Sequence, residues 1–141
     1  MVVKRVENAA ELARCLAIRQ RVFVLEQGVP QDLELDDKDP ECTHFLASEG
    51  DVDTGTARLL RLEGGKAKVQ RVAVSANQRK SGVGRALMRA LEAEAKAQGC
   101  VVVVLSSQVS AIPFYERLGY EAQGPVYDDA GIPHRDMSKQ L

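Results

Sequence analysis

The segment Arg79-Lys80-Ser81-Gly82-Val83-Gly84 carries the residue types that an anion-binding turn needs. Two glycines stand one residue apart, basic side chains precede them, and a helix-forming run follows at once. Glycine lets a backbone approach a ligand closely, and the free amides at a helix N-terminus point toward negative charge. Arg85 adds a further cation beside those amides. The chemistry expected of such a turn is the cradling of a phosphate or pyrophosphate. Two known phosphate loops do not fit it. A dinucleotide fingerprint needs a third glycine where Leu87 stands, and a Walker loop needs Gly-Lys-Ser/Thr, an order that Lys80-Ser81-Gly82 does not follow. On these residues alone, a plain tight strand-to-helix connection stands as an equal alternative.

Side chains able to move a proton near neutrality are few. The chain has two histidines, His44 and His134. An ordinary imidazole titrates near pH ~6.5, which suits acid–base work, although histidines more often serve as structural hydrogen-bonders. The run QDLELDDKDPE, from Gln31 to Glu41, includes Glu34 and is strongly acidic. It reads either as a solvated loop or as the wall of a site for a cationic amine. Cys15, Cys42 and Cys100 are far apart and odd in number, without zinc spacing, so neither a metal site nor a disulfide framework is expected.

The remainder of the chain must position these groups. Its 141 residues predict one domain spanning 1–141, with a core built from Leu, Val, Ile and Ala because Trp is absent. A net charge of -1 argues against nucleic-acid binding. No long apolar run suggests a signal peptide or membrane span, so a cytoplasmic protein without membrane contact is the expectation.

Val2 to Val6 reads as a strand, and Asn8 as the N-cap of a helix that runs to Gln27 with Glu11 in capping-box position. Gly28 and Pro30 end that helix. Strands are predicted at His44–Ser48, Gly55–Leu62 and Lys68–Val74, then a helix at Val83–Gln98. Val101–Leu105 reads as a strand buried on both faces. Ser110 is placed to cap a short helix, and two weaker strands follow at Tyr120–Gln123 and His134–Ser138. The order β-α-β-β-β-α-β-α-β-β is α+β.

The glycine segment, its preceding strand Arg71-Val72-Ala73-Val74 and its following helix resemble the Gln/Arg-x-x-Gly-x-Gly/Ala signature of GNAT acetyltransferases. Ala111 to Tyr120, AIPFYERLGY, is similar to that family's second signature, Ala-x-x-Phe-Tyr-x-x-x-Gly-Phe/Tyr. The run RVFVLEQGVP, His44 and the closing Gly131-Ile132-Pro133-His134 resemble the small bacterial ElaA/YjcF-like branch. The resemblance implies the GNAT acyl-CoA N-acyltransferase fold, a mixed, mostly antiparallel central sheet flanked by helices.

It also implies acetyl-CoA as cosubstrate, with the amides from Arg79 to Gly84 on its pyrophosphate and the pantetheine arm lying beside Val72, Ala73 and Val74. Arg85, Gln108, Ser110 and Phe114 complete the cofactor contacts that it implies. The Val74 amide would stabilise an oxyanion, and transfer would go directly to a primary amine in a small molecule or peptide. Tyr115 would donate to the leaving sulfur. Phenol at about 10 and thiol at about 8.5 make hydrogen bonding safer than full proton transfer. Some relatives carry a glutamate base on the strand before the loop, but Gln70 and Arg71 stand in the matching region. The candidates for a base are then Glu34, His44 and His134. A non-catalytic acyl-CoA-binding protein of the same fold is the alternative. A homodimer is common in the family, though no residue pattern here shows one.

Overall fold

In the computed structural model, which describes residues 1–141, Asn8 caps the first helix as predicted. Its side-chain oxygen accepts from the Glu11 amide at 2.8 Å, while the Glu11 carboxylate accepts from the Glu7 amide at 2.8 Å. The expected reciprocal cap therefore forms one residue earlier on its return side. The helix itself is not uniform. Regular α1 spans Ala9–Arg19, and a π-helix takes over from Gln20 to Glu26. Such wide turns are rare and re-aim the side chains that follow them.

The full order is β1 (Val2–Arg5), α1, the π-helix, α2 (Gln31–Glu34), β2 (Thr43–Glu49), β3 (Val52–Arg61) and β4 (Lys66–Val74). There follow α3 (Val83–Ala97), β5 (Val102–Gln108), α4 (Ile112–Arg117), β6 (Glu121–Asp129) and β7 (Ile132–Gln140). This is the expected order with the short α2 added. The strands form one seven-stranded mixed sheet in the order β1-β2-β3-β4-β5-β7-β6. Only β4 and β5 pair in parallel.

Successive strand residues face opposite sides, and the core divides accordingly. Phe45 and Ala47 of β2 join Leu87, Met88 and Leu91 of α3 in the larger cluster. Leu46, between them, joins Cys15 and Ile18 of α1 and Val22 of the π-helix in the smaller one. Thus α3 covers one face of the sheet, and α1 with the π-helix covers part of the other. Burying each of these leucines contributes about 1.5–3 kcal/mol.

The β5 strand departs from its prediction. Val103 and Leu105 are buried, but Val102 and Val104 are only half-buried, so one face alone is covered. A run of valines specifies a strand, but cover on its second face has to come from other elements, and α1 packs on β2, β3 and β4 instead. The two final strands have nine residues each, longer than predicted. Ser110 caps nothing: it lies in a 3₁₀ turn, and Ala111 holds the N-cap position of α4 without a side-chain bond.

Candidate active site

The site begins with a bulge in β4. Thr56 pairs with Ala73 and Arg58 with Gln70, so Arg71 and Val72 together oppose Ala57. Arg71 takes φ +57, a left-handed conformation uncommon for a residue with a side chain. Its guanidinium is held at the Glu34 carboxylate (2.8 Å) and at the Glu34 carbonyl (3.1 Å), which secures the bulge from outside the sheet. Bulges bend the strand that carries them. The parallel pairing of β4 with β5 indeed ends at Val69 and Leu105, and beyond this point the two strands splay.

One backbone group can be followed into the resulting gap. The Ser75 amide donates to the Thr54 carbonyl at 2.9 Å. Bonded and non-bonded pairs alternate along an antiparallel ladder, so the next pair, Gly55 with Val74, is a non-bonded one. Val74 therefore turns its N–H and C=O away from β3 and toward the gap. Its carbonyl accepts there from Arg79 Nε at 3.1 Å.

A cavity of about 420 Å³ opens on this gap. Val72, Ala73 and Val74 line one side of it, Ser107 and Gln108 of β5 the other. Phe23 and Gln27 of the π-helix region, Leu33 and Glu34 of α2, and Asp129, Ala130 and His134 of the β6–β7 hairpin complete the wall with Tyr115 and Arg79. Gln108 Nε2 donates to Gln27 Oε1 at 2.8 Å, bridging the end of β5 to the π-helix.

The glycine loop lies at the near end. Lys80, Ser81, Gly82 and Arg85 are exposed, whereas Val83 is buried in the core. Gly82 has φ +89, and a Cβ built there would meet nothing within 4 Å. Gly84 is different: a Cβ would lie 3.1 Å from the Phe114 ring, so glycine permits the start of α3 to meet α4. Phe114 accordingly has a packing role in addition to the cofactor contact expected of it.

The four candidates for proton chemistry separate in space. Tyr115 is buried, and burial pushes its phenol well above the ordinary range. It therefore stays protonated and able to donate. Its ring packs edge-on against Phe114 and Tyr120, at centroid distances of 4.9 and 5.9 Å. His134 places Nδ1 at 2.7 Å from the Ile132 carbonyl. A carbonyl only accepts, so Nδ1 carries the proton and Nε2 is left as the acceptor of the neutral ring. Tyr127 stacks on this imidazole and is itself fixed, since its hydroxyl donates to Asp136 at 2.5 Å and shares a hydrogen bond with Ser106.

His44 is not part of the cavity wall. It is buried, with Nε2 donating to the Asp39 carbonyl at 2.9 Å. Glu34 does reach the wall, but Arg19 and Arg71 hold its carboxylate at 3.1 and 2.8 Å. Two further acids of the run are also paired. Asp36 pairs with Arg58 at 2.7 Å, and Asp39 meets both Arg19 and Arg58 at 2.8 Å. Three buried or half-buried arginines from α1, β3 and β4 thus pair with Glu34, Asp36 and Asp39, the acids of the run that turn inward.

This network makes stability sensitive to acid. Hydrogen bonding from Arg58 holds Asp36 well below the usual carboxylate range. Burial pushes Asp39 upward, but bonds from Arg19 and Arg58 outweigh it and leave it lowered. A carboxyl group whose folded pKa is depressed stabilises the fold above its unfolded value and loses that contribution as pH falls through the folded one. The urea midpoint should therefore hold between about pH 8 and 5 and drop below about pH 4. A midpoint that stayed level down to about pH 3 would show that the network contributes nothing.

Reading the sequence missed Glu26, Gln27 and the Asp129-Ala130 turn. A polar Glu-Gln pair closing an otherwise apolar helix end was the one available signal.

Comparison with known proteins supplies the remaining findings. The family model of the acetyltransferase (GNAT) domain matches residues 6–141. A Bacillus subtilis protein described as the uncharacterized N-acetyltransferase YjcF is 36% identical over 134 residues, spanning 94% of this chain and 95% of its own length. The crystal structure of Escherichia coli ElaA superposes with a TM-score of 0.86 at 25% identity, covering 98% of each chain. A Bacillus subtilis acetyltransferase crystallised in complex with CoA shares the fold, with a TM-score of 0.74 at 17% identity over 99% of this chain and 97% of that one.

Proposed function

The chain belongs to the GNAT acetyltransferase family and takes acetyl-CoA as cosubstrate, and on that premise we propose that it acetylates a primary amine by direct transfer within its cavity. The observation that carries this reading is the junction of gap and cavity. There the outward-turned Val74 backbone, the Tyr115 phenol and the His134 imidazole border one space. The glycine loop fits a pyrophosphate, because Gly82 leaves open space where any other residue would set a side chain.

When bound, acetyl-CoA supplies an activated acyl carbon and a thiolate leaving group. Val74 N–H is the preorganised donor for the oxygen that gains charge. Tyr115 donates a hydrogen bond to the departing sulfur. His134 Nε2 takes the proton that the amine must lose, with Ile132 and Tyr127 holding the ring in the necessary tautomer and orientation. Glu34 and His44 position rather than react: one anchors the bulge through Arg71, and the other ties β2 to the Asp39 turn. Neither carries a cationic preference to the acceptor, a primary amine of a small molecule or peptide.

The test is thiol release from acetyl-CoA across a panel of primary amines. Amine-dependent release is expected, and His134→Ala should lower it at least about tenfold at pH 7, toward the 10²–10⁴ scale of general acid–base catalysis. That deficit should shrink as pH rises, because solvent then deprotonates the amine unaided. CoA binding without release for any amine would favour the non-catalytic reading instead. A deficit constant across pH would remove His134 as the base.

A further inference from the structure

Among the cations of the glycine loop, Arg79 is the one held by a carboxylate. Its Nη1 and Nη2 meet Glu26 Oε2 and Oε1 at 2.5 and 2.9 Å, a two-pronged contact, while Nε donates to the Val74 carbonyl. Lys80 and Arg85 are exposed beside it. Glu26 comes from the last turn of the π-helix, 53 residues away in sequence. The next residue, Gln27, is tied to Gln108 on the opposite arm of the gap. The end of the π-helix is therefore anchored independently, and Glu26 keeps its place whether or not Arg79 stays with it.

A guanidinium carries five N–H donors, and its two-pronged faces suit a carboxylate or a phosphate. With Nε on the Val74 carbonyl and one N–H of each Nη on Glu26, Arg79 has no second two-pronged face free for another anion. We propose that Glu26 and the cofactor pyrophosphate compete for Arg79, so that Glu26 sets the affinity of the loop. The proposal rests on the reading of the glycine loop as the pyrophosphate site. The exchange is physically easy, since both side chains are about two-fifths exposed, at 41% and 39%. Water can receive the released carboxylate, and the lost pair is of the weak, solvent-screened kind. Hydrogen bonding from Arg79 holds the Glu26 carboxyl below its usual range, and the group stays ionised at neutral pH after release. Seating the cofactor would thus move Arg79 from protein anion to ligand anion and leave a free carboxylate at the cavity rim.

The experiment is calorimetric titration of CoA into wild type, Glu26→Gln, Arg79→Ala and the double variant. Removing the internal anion should tighten CoA about 3–5-fold, the upper part of the scale of an exposed ion pair. In the Arg79→Ala background the same change should alter affinity by less than about twofold, because the contested fork is gone. Unchanged or weaker binding by Glu26→Gln would overturn the proposal, showing that Glu26 braces Arg79 for the phosphate. Equal tightening in both backgrounds would also overturn it, since general repulsion would then suffice. Wild type that failed to bind CoA would remove the pyrophosphate loop and this proposal together, an outcome distinct from the other two.

Discussion

Gly82→Asp should lose about 100-fold or more in acetyl-CoA affinity while the protein remains folded. The backbone at Gly82 is left-handed, at φ +89, and a Cβ there projects into space free of protein atoms. A non-glycine residue in that conformation costs about 1–2 kcal/mol, and aspartate and asparagine tolerate it better than most. The strain is therefore survivable, and the main effect is electrostatic. A carboxylate at the mouth of the loop sets negative charge against the pyrophosphate and blocks approach to the amides ahead of α3. Gly82→Asn separates the two causes, since it brings nearly the same shape and strain without the charge. Its loss should be about tenfold. Calorimetry reads both, and thermal melts should show similar shifts for the pair. Wild-type affinity in Gly82→Asp would place the pyrophosphate elsewhere.

Tyr115→Phe should lower kcat about 100-fold with the Kd for CoA unchanged. The substitution removes one hydroxyl and keeps the ring, so the edge-on contacts with Phe114 and Tyr120 survive. Burial raises the phenol so far that it remains protonated throughout the usable pH range. It can therefore act only by donating, and no limb of the pH–rate profile should belong to it. The lost donor should be felt when negative charge grows on the leaving sulfur, which places the effect in kcat rather than in binding. Turnover unchanged at saturating substrate would reduce Tyr115 to a packing residue.

Several parts of this molecule are legible without its structure because their causes lie within a few residues. Asn8 and Glu11 write the start of α1, Gly28 ends the helical run, and the Gly64-Gly65 pair turns β3 into β4. The spacing of Val83, Leu87, Leu91 and Ala95 states which face of α3 is buried. The two glycines of the loop likewise announce a close backbone approach. Each of these depends on local conformational preference or on a period that a short window contains.

Other features are decided at a distance. The switch from α1 to a π-helix adds less than one residue per turn, too small a change for two turns of apolar spacing to register. It nonetheless sets where Phe23, Glu26 and Gln27 stand. Arg71 adopts its left-handed bulge within a run, Arg-Val-Ala-Val, that reads as plain strand; Glu34, 37 residues earlier, holds it through both its carboxylate and its carbonyl. In sequence the stretch from Glu34 to Asp39 is a block of negative charge. In the fold, Arg19, Arg58 and Arg71 arrive from three separate elements and pair with Glu34, Asp36 and Asp39. Residue order alone thus suffices for the fold class, the glycine loop and the candidacy of Tyr115 and His134. Which candidates share a cavity, and which charges are already paired, follows from tertiary packing, because an ion pair or a splayed strand depends on contact between segments that no local preference relates.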